Sequence, residues 1–282
     1  MSIRLAVFDL DQTLLLTGHR ITDRAAAQVR ALVADGLPVA LASARLDESM
    51  AVVNEAIGIP LPRISYNGAL TREADGSTVH EVGFTVSAEL AAALVAMTRP
   101  GPDGQGAINL YCSDGRWLAH GNPEAIDREE RDTWCTATVR TDSVEAESLA
   151  GLRCRKILVE GPDGHLDALE RAVDGIEGLN LTHSGMGLHD IWPAASGKAN
   201  ALAALCEHLG LGADQVLAAG DSATDVPMLA WAGTSIGVQP CAPGVTEVAT
   251  HLVEGAGSDE LFALVRELAG LEPADGGRLL PL

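Results

Sequence analysis

Asp9-Leu10-Asp11-Gln12-Thr13 sets two carboxylates and a hydroxyl directly after the apolar run Ile3 to Phe8. Two carboxylates two residues apart repel each other unless a cation sits between them. A second acidic group, Gly220-Asp221-Ser222-Ala223-Thr224-Asp225, follows another apolar run, Gln215 to Ala219. Ser43 offers a hydroxyl after a third, Pro38 to Ala42. Lys198 opens an expected helix. A cation there opposes the helix dipole and makes more sense directed at an anion. Each feature also has an ordinary explanation. Asp9 and Asp11 could sit in a solvated turn, Ser43 and Asp225 could cap the helices that follow, and Lys198 could be solvated. Short acidic motifs are common by chance. Their joint placement weighs the other way, because carboxylates at the C-terminal mouth of a parallel sheet lie where such sheets place ligands.

The elements that would position these residues alternate. Ile3 to Phe8, Pro38 to Ala42 and Arg63 to Tyr66 read as short buried strands, the last followed by the turn Asn67-Gly68. Between them lie helical stretches, one starting at the N-cap Thr22 and stopping at Gly36, the other running from Asp47 to Ile57. The last third repeats the rhythm. Ala199 to Leu209, Asp225 to Ala232 and Asp259 to Leu268 read as helices, with Gln215 to Ala219, Thr234 to Gly237 and His251 to Val253 as strands. Strands separated by helices imply right-handed crossovers and a parallel sheet. The tail from Glu272, with Pro273, Gly276, Gly277 and Pro281, is expected to fray.

The middle reads differently. Thr85 to Met97, Pro123 to Arg131 and His165 to Asp174 are expected helices, and Lys156 to Glu160 a strand. Ile108 to Cys112 with Trp117 to His120, and Leu179 to His183 with Leu188 to Ile191, read as hairpins. The expected architecture is an α/β, Rossmann-like parallel-sheet core, residues 1–81 and 190–282, with an inserted α+β unit at 82–189. Tyr111, Trp117 and His120 could line a substrate pocket in the inserted unit or simply pack within it.

Composition narrows the function. The chain has 282 residues, 47% hydrophobic and 21% charged, the balance of a globule that can bury a core. Thirty-nine acidic against 19 basic residues give a net charge of −20. Such a surface repels polyphosphate backbones and anionic membranes, so neither nucleic acid nor membrane is an expected partner. No apolar run approaches the ~18 residues of a membrane span. The five cysteines, 112, 135, 154, 206 and 241, contain no CxxC pair and read as buried residues of a reduced, cytoplasmic protein. Gly197-Lys198 is no P-loop, because Trp192 and Ala199 occupy the Gly and Ser/Thr positions. The eight histidines show no ligand spacing.

Taken together, these motifs resemble the haloacid dehalogenase superfamily of phosphohydrolases, in particular its Cof-type group, which carries a large type IIB-like cap between its second and third motifs. Asp9-x-Asp11-x-Thr13 matches the first motif, Ser43 in Ala42-Ser43-Ala44-Arg45 the second and Lys198 in Ser196-Gly197-Lys198 the third. Gly220-Asp221 through Asp225 matches the fourth, and Asn67-Gly68-Ala69 a turn of the cap-bearing members. The resemblance implies phosphoryl transfer. Asp9 would be the nucleophile and form an aspartyl phosphate. Asp11 would protonate the leaving alkoxide and then accept a proton from water. Ser43 and Lys198 would bind phosphoryl oxygens, with Thr13, Asn67 and Asp225 in support. Mg²⁺ would be held by Asp9, the Asp11 carbonyl and Asp221. Gln12 and Ala44 replace glycines of the pattern, Thr224 stands where Asn is common, and Val238 where Asn is frequent. These departures bear on rate and metal affinity rather than reaction class.

The reading is a Mg²⁺-dependent phosphatase of a small phosphorylated metabolite, with a sugar or polyol phosphate favoured. A hexose phosphate mutase shares the motifs. A non-catalytic phospho-accepting regulator has a similar acidic pair and lysine, but not the inserted unit. The sequence sets no oligomeric state.

Overall fold

The computed structural model describes residues 2–16, 20–101, 104–141, 143–161, 166–185 and 187–273. The tail expected to fray lies, beyond Pro273, outside the described residues. The chain divides into two compact units. One takes the residues up to Ala44, Met50–Val79 and those from Lys198 onward, and the other takes Arg45–Ser49 and His80–Gly197.

In the first unit, strands β1 (Leu5–Asp9) and β2 (Val39–Ala42) are buried at every residue. A strand with no polar face needs a sheet covered on both sides, which parallel crossovers supply. Between them runs α1 (Asp23–Ala34), where Thr22 accepts a hydrogen bond from the Ala25 amide at 3.0 Å and caps the helix. Helix α2 (Asp47–Ile57) leads to β3 (Arg63–Ser65), parallel to β2. Then β4 (Leu70–Arg72) turns back antiparallel, and β5 (Thr78–Glu81) ends the sheet on that side.

The second unit holds a separate sheet. Its strands are β6 (Phe84–Thr85), β7 (Ala107–Cys112), β8 (Trp117–Gly121), β9 (Val139–Thr141), β10 (Arg153–Glu160), β11 (Leu179–Gly185) and β12 (Leu188–Pro193). Both expected hairpins form, β7 with β8 and β11 with β12. Helices α3 (Ala88–Met97), α5 (Ala146–Leu149) and α6 (Leu166–Asp174) share a core with one sheet face. Leu90, Leu94, Leu149, Leu169 and Val173 meet Ile108, Ile157, Val159 and Ile191 there. Helix α4 (Pro123–Thr133) follows β8. The helix expected from Thr85 starts at Ala88 instead. Ser87 caps it, and Phe84–Thr85 is spent pairing with Arg153–Cys154. Because β12 belongs to this sheet, residues 190–197 fall with the second unit, and the chain returns to the first at Lys198 rather than near 190.

On its return the chain forms α7 (Lys198–Leu209), β13 (Val216–Gly220), α8 (Val226–Trp231), β14 (Thr234–Gln239), α9 (Pro243–Val248), β15 (His251–Glu254) and α10 (Asp259–Ala269). The strand order is β15-β14-β13-β1-β2-β3-β4-β5. Both segments of the first unit thus share one sheet. β1 is central, with β13 parallel on one side and β2 parallel on the other. Strand order reverses here, so the C-terminal ends of β1, β2 and β13 open onto one crevice. No described helix is long and apolar enough to cross a membrane.

Candidate active site

Register brings the chemical residues together. Asp9, the last residue of β1, pairs with Ala42, so Ser43 leaves β2 beside it. On the other flank Phe8 pairs with Ala219, and Asp221 follows the end of β13. Lys198, the first residue of α7, donates from Nζ to Asp9 Oδ1 at 2.5 Å and to Asp225 Oδ1 at 2.6 Å. Thr13 Oγ1 donates to Asp221 Oδ1 at 2.9 Å. Asp9, Thr13, Ser43, Lys198, Asp221 and Asp225 are all buried, and all belong to the first unit. Asp11 is half-buried in the turn after β1 and adds its charge to the field at Asp9 and Asp221.

Asp225 organises the loop after β13. Its Oδ2 accepts from the Asp221 amide at 3.2 Å, the Ser222 amide at 2.9 Å and Ser222 Oγ at 2.7 Å. Ser222 escaped the sequence reading. A serine three residues before an aspartate is the spacing of a local side-chain–backbone turn and was the available signal. Gly220 makes the approach possible, since a Cβ there would lie 2.6 Å from the Asp225 Cβ. Gln12 holds φ +61°, the left-handed region where glycine is favoured, with its amide bonded to the Leu15 carbonyl at 3.0 Å. Asn67 also has a positive φ, +53°, and donates its amide to the Ser43 carbonyl at 3.0 Å. Its Oδ1 is buried without a hydrogen-bond partner among the described residues. The structure therefore places Asn67 against the end of β2.

Charge dominates the site. Burial and then the Asp225 carboxylate raise the Asp9 pKa well above the ordinary carboxylate value, against the pull of Lys198. Asp221 is pushed up to about 6, first by burial, with Asp225 adding and the Thr13 hydrogen bond opposing. Burial alone would lower Lys198, but Asp225 and Asp9 outweigh it and keep the ammonium charged. Carboxylates raised in this way are short of positive charge.

Asp9, Asp221 and Asp225 each offer an oxygen within 4.8 Å of the others. The expected metal set held Asp9, the Asp11 carbonyl and Asp221, and the structure brings Asp225 into the same cluster. Hard oxygen donors of net negative charge fit a divalent cation such as Mg²⁺. Asp225 is already engaged by Lys198 and the loop, which leaves Asp9 and Asp221 as the freer ligands.

One consequence concerns stability. In metal-free protein the folded state keeps the Asp221 proton up to about 6, whereas an unfolded carboxyl loses it near 3.8. Stability contributed by this group is therefore present at low pH and lost as pH rises through that window. The difference is worth on the order of 1–3 kcal/mol. Asp221→Asn should raise Tm in EDTA at pH 7.5 by several degrees while abolishing the stabilisation that Mg²⁺ gives the wild type. Thermal melts with and without Mg²⁺ check this, and a lowered Tm in EDTA would contradict it.

The parallel sheet, the reversal at β1 and the acidic crevice define a class of hydrolase. Residues 6–259 match the haloacid dehalogenase-like hydrolase family, and the chain belongs to it. It is similar to the HMP-PP phosphatase of Enterobacter sp. (strain 638), with 25% identity over 252 residues, 88% of this chain and 89% of that one. Its fold is similar to that of a haloacid dehalogenase-like hydrolase from Bacteroides thetaiotaomicron, with TM-score 0.80 and 19% identity, over 94% of this chain and 99% of the other. It is also similar in fold to the HAD subclass IIB sugar phosphatase BT4131, with TM-score 0.74 and 14% identity, over 94% and 98% of the two chains.

Proposed function

We propose that this hydrolase is a Mg²⁺-dependent phosphatase of a small phosphorylated metabolite, a sugar or polyol phosphate, acting through an aspartyl phosphate in the cytoplasm. The observation that carries the reading is the buried Lys198 ammonium joining Asp9 to Asp225 at the mouth of β1. A carboxylate oxygen of Asp9 attacks phosphorus. Lys198 orients that carboxylate, and with the Ser43 hydroxyl it binds phosphoryl oxygens. Charge neutralisation of this kind is the main contribution to phosphoryl transfer. Asp11, partly open to solvent, donates a proton to the leaving alkoxide and then takes one from the attacking water. Asp225 keeps Lys198 in place, Thr13 fixes one oxygen of Asp221, and Asn67 supports the end of β2. Asp9, the Asp11 carbonyl and Asp221 would hold Mg²⁺, which would supply the charge that lets an anionic nucleophile approach a phosphate. The second unit serves as a cap that excludes bulk water and large substrates.

A second reading takes HMP-PP as substrate. The relatives of that name support it, since they match over most of their length. Phosphate release across sugar phosphates, polyol phosphates and HMP-PP, each with Mg²⁺ and with excess EDTA, tests both. We expect release from one of these groups with Mg²⁺ and at least a hundredfold loss in EDTA. Undiminished turnover in EDTA would overturn the metal assignment, and no release from any of them would overturn the substrate class.

A further inference from the structure

Two of the five cysteines, 42 positions apart, face each other across the sheet of the second unit. Cys112 ends β7, and Cys154 lies in β10 directly opposite in the antiparallel register. The next pair outward, Ser113 and Arg153, is hydrogen-bonded, with the Ser113 amide donating to the Arg153 carbonyl at 2.8 Å. Opposed pairs alternate in an antiparallel ladder, so Cys112 and Cys154 occupy the narrow, non-hydrogen-bonded kind of site. There Cα atoms lie about 4.5 Å apart, within the ~4.4–6.8 Å that a disulfide spans. Both side chains point to the face that carries Ile157, Val159 and Leu110. Both are free thiols.

We infer that Cys112 and Cys154 form a reversible redox couple, a dithiol that hydrogen peroxide closes to a cross-strand disulfide. The two sulfurs have unequal roles. Cys112 Sγ donates to the Leu110 carbonyl at 3.9 Å, and the interaction between the two thiols lowers the Cys112 pKa against burial and raises that of Cys154. The thiolate is the nucleophile in such chemistry, so Cys112 attacks and Cys154 resolves. The Cys112 sulfur attacks a peroxide oxygen and the O–O bond breaks. Hydroxide leaves and takes up the proton that Cys112 gave up, forming water, and Cys112 is left as a sulfenic acid. The Cys154 sulfur then attacks the Cys112 sulfur. The S–O bond breaks, and the departing hydroxyl leaves with the Cys154 proton as a second water. Two thiols and one peroxide thus give one disulfide and two waters.

Access is local. Cys112 is 3% exposed and Cys154 fully buried, but Cys112 adjoins the exposed turn at Asp114 and Gly115. A small oxidant reaches it when that turn opens, the kind of low-cost opening that loop tips undergo. The carbonyls of Cys112 and Ser113 accept from the Arg155 guanidinium at 3.1 and 2.7 Å, and its Nε donates to Glu81 at 2.9 Å. A disulfide here would lock the strands beneath this clamp, next to the residues by which the chain enters the second unit.

The test is thiol counting and non-reducing peptide mapping of the full chain after a hydrogen peroxide titration. We expect two of five thiols to be lost, one cross-linked peptide joining Cys112 to Cys154, and full recovery with dithiothreitol. In Cys154→Ser, dimedone should label Cys112 as trapped sulfenic acid. Should that variant not fold, the wild-type peptide map decides alone. Free Cys112 and Cys154 after the other cysteines have oxidised would overturn the proposal, as would a disulfide to Cys135, Cys206 or Cys241.

Discussion

Asp9→Asn should reduce phosphate release by on the order of 10⁴-fold or more while leaving the fold intact. The change removes one negative charge and no volume, so what is lost is nucleophilicity. Asp9 is buried and its pKa is raised, so a neutral amide suits its surroundings as well as the carboxylate does. Lys198 keeps Asp225 as its counter-charge at 2.6 Å. The melting temperature should therefore hold or rise even as activity disappears. Rapid quench with a ³²P-labelled substrate should label Asp9 in the wild type and nothing in the variant. Label on another residue, or retained activity, would remove Asp9 from the reaction.

Lys198→Ala should damage both activity and stability, and the two losses should respond differently to pH. Nζ is the buried cation between two buried carboxylates, and deleting it leaves both uncompensated. Breaking a buried ion pair from one side typically costs about 3–5 kcal/mol. The Asp9 carboxylate, whose pKa burial already raises, can escape by taking up a proton, so the penalty should be largest near pH 8 and shrink towards pH 5. Loss of a phosphate ligand should lower kcat/KM by about 10²–10³-fold, and that loss should persist at pH 5. Melts and initial rates across this range check the prediction. A stability loss that does not vary with pH would mean that Asp9 does not carry the penalty.

Much of this site was legible in the sequence because it sits at strand ends. A run such as Leu5–Phe8 can only be a buried strand, and an acidic residue immediately after it must emerge at the mouth. The cap at Thr22 set α1 by local chemistry. What escaped depends on partners distant in sequence. Phe84–Thr85 is a strand only because Arg153–Cys154 lies beside it, and the four-residue helix Ala146–Leu149 exists to deliver Leu149 to the second core. The crossing at Lys198 was set too early for the same reason, since Leu188–Pro193 shows its allegiance only by pairing with β10 and β11. In the site, the Ser222-to-Asp225 spacing carried a local-turn signal that went unread, and nothing in the spacing showed that Asp225 would join the Asp9 and Asp221 cluster.

The order in which a ribosome delivers this chain now acquires meaning. β1 is the central strand of the first sheet, yet its neighbour β13 begins at Val216, after the entire second unit has been made. At about 5–20 residues per second, the Leu5–Asp9 edge waits on the order of ten seconds with its amides and carbonyls unpaired. The inserted unit, nearly contiguous in sequence, can mature in that interval. The nascent first unit is then a half-sheet with an apolar open edge, and slow codons placed before Lys198 would lengthen the time a chaperone must guard it.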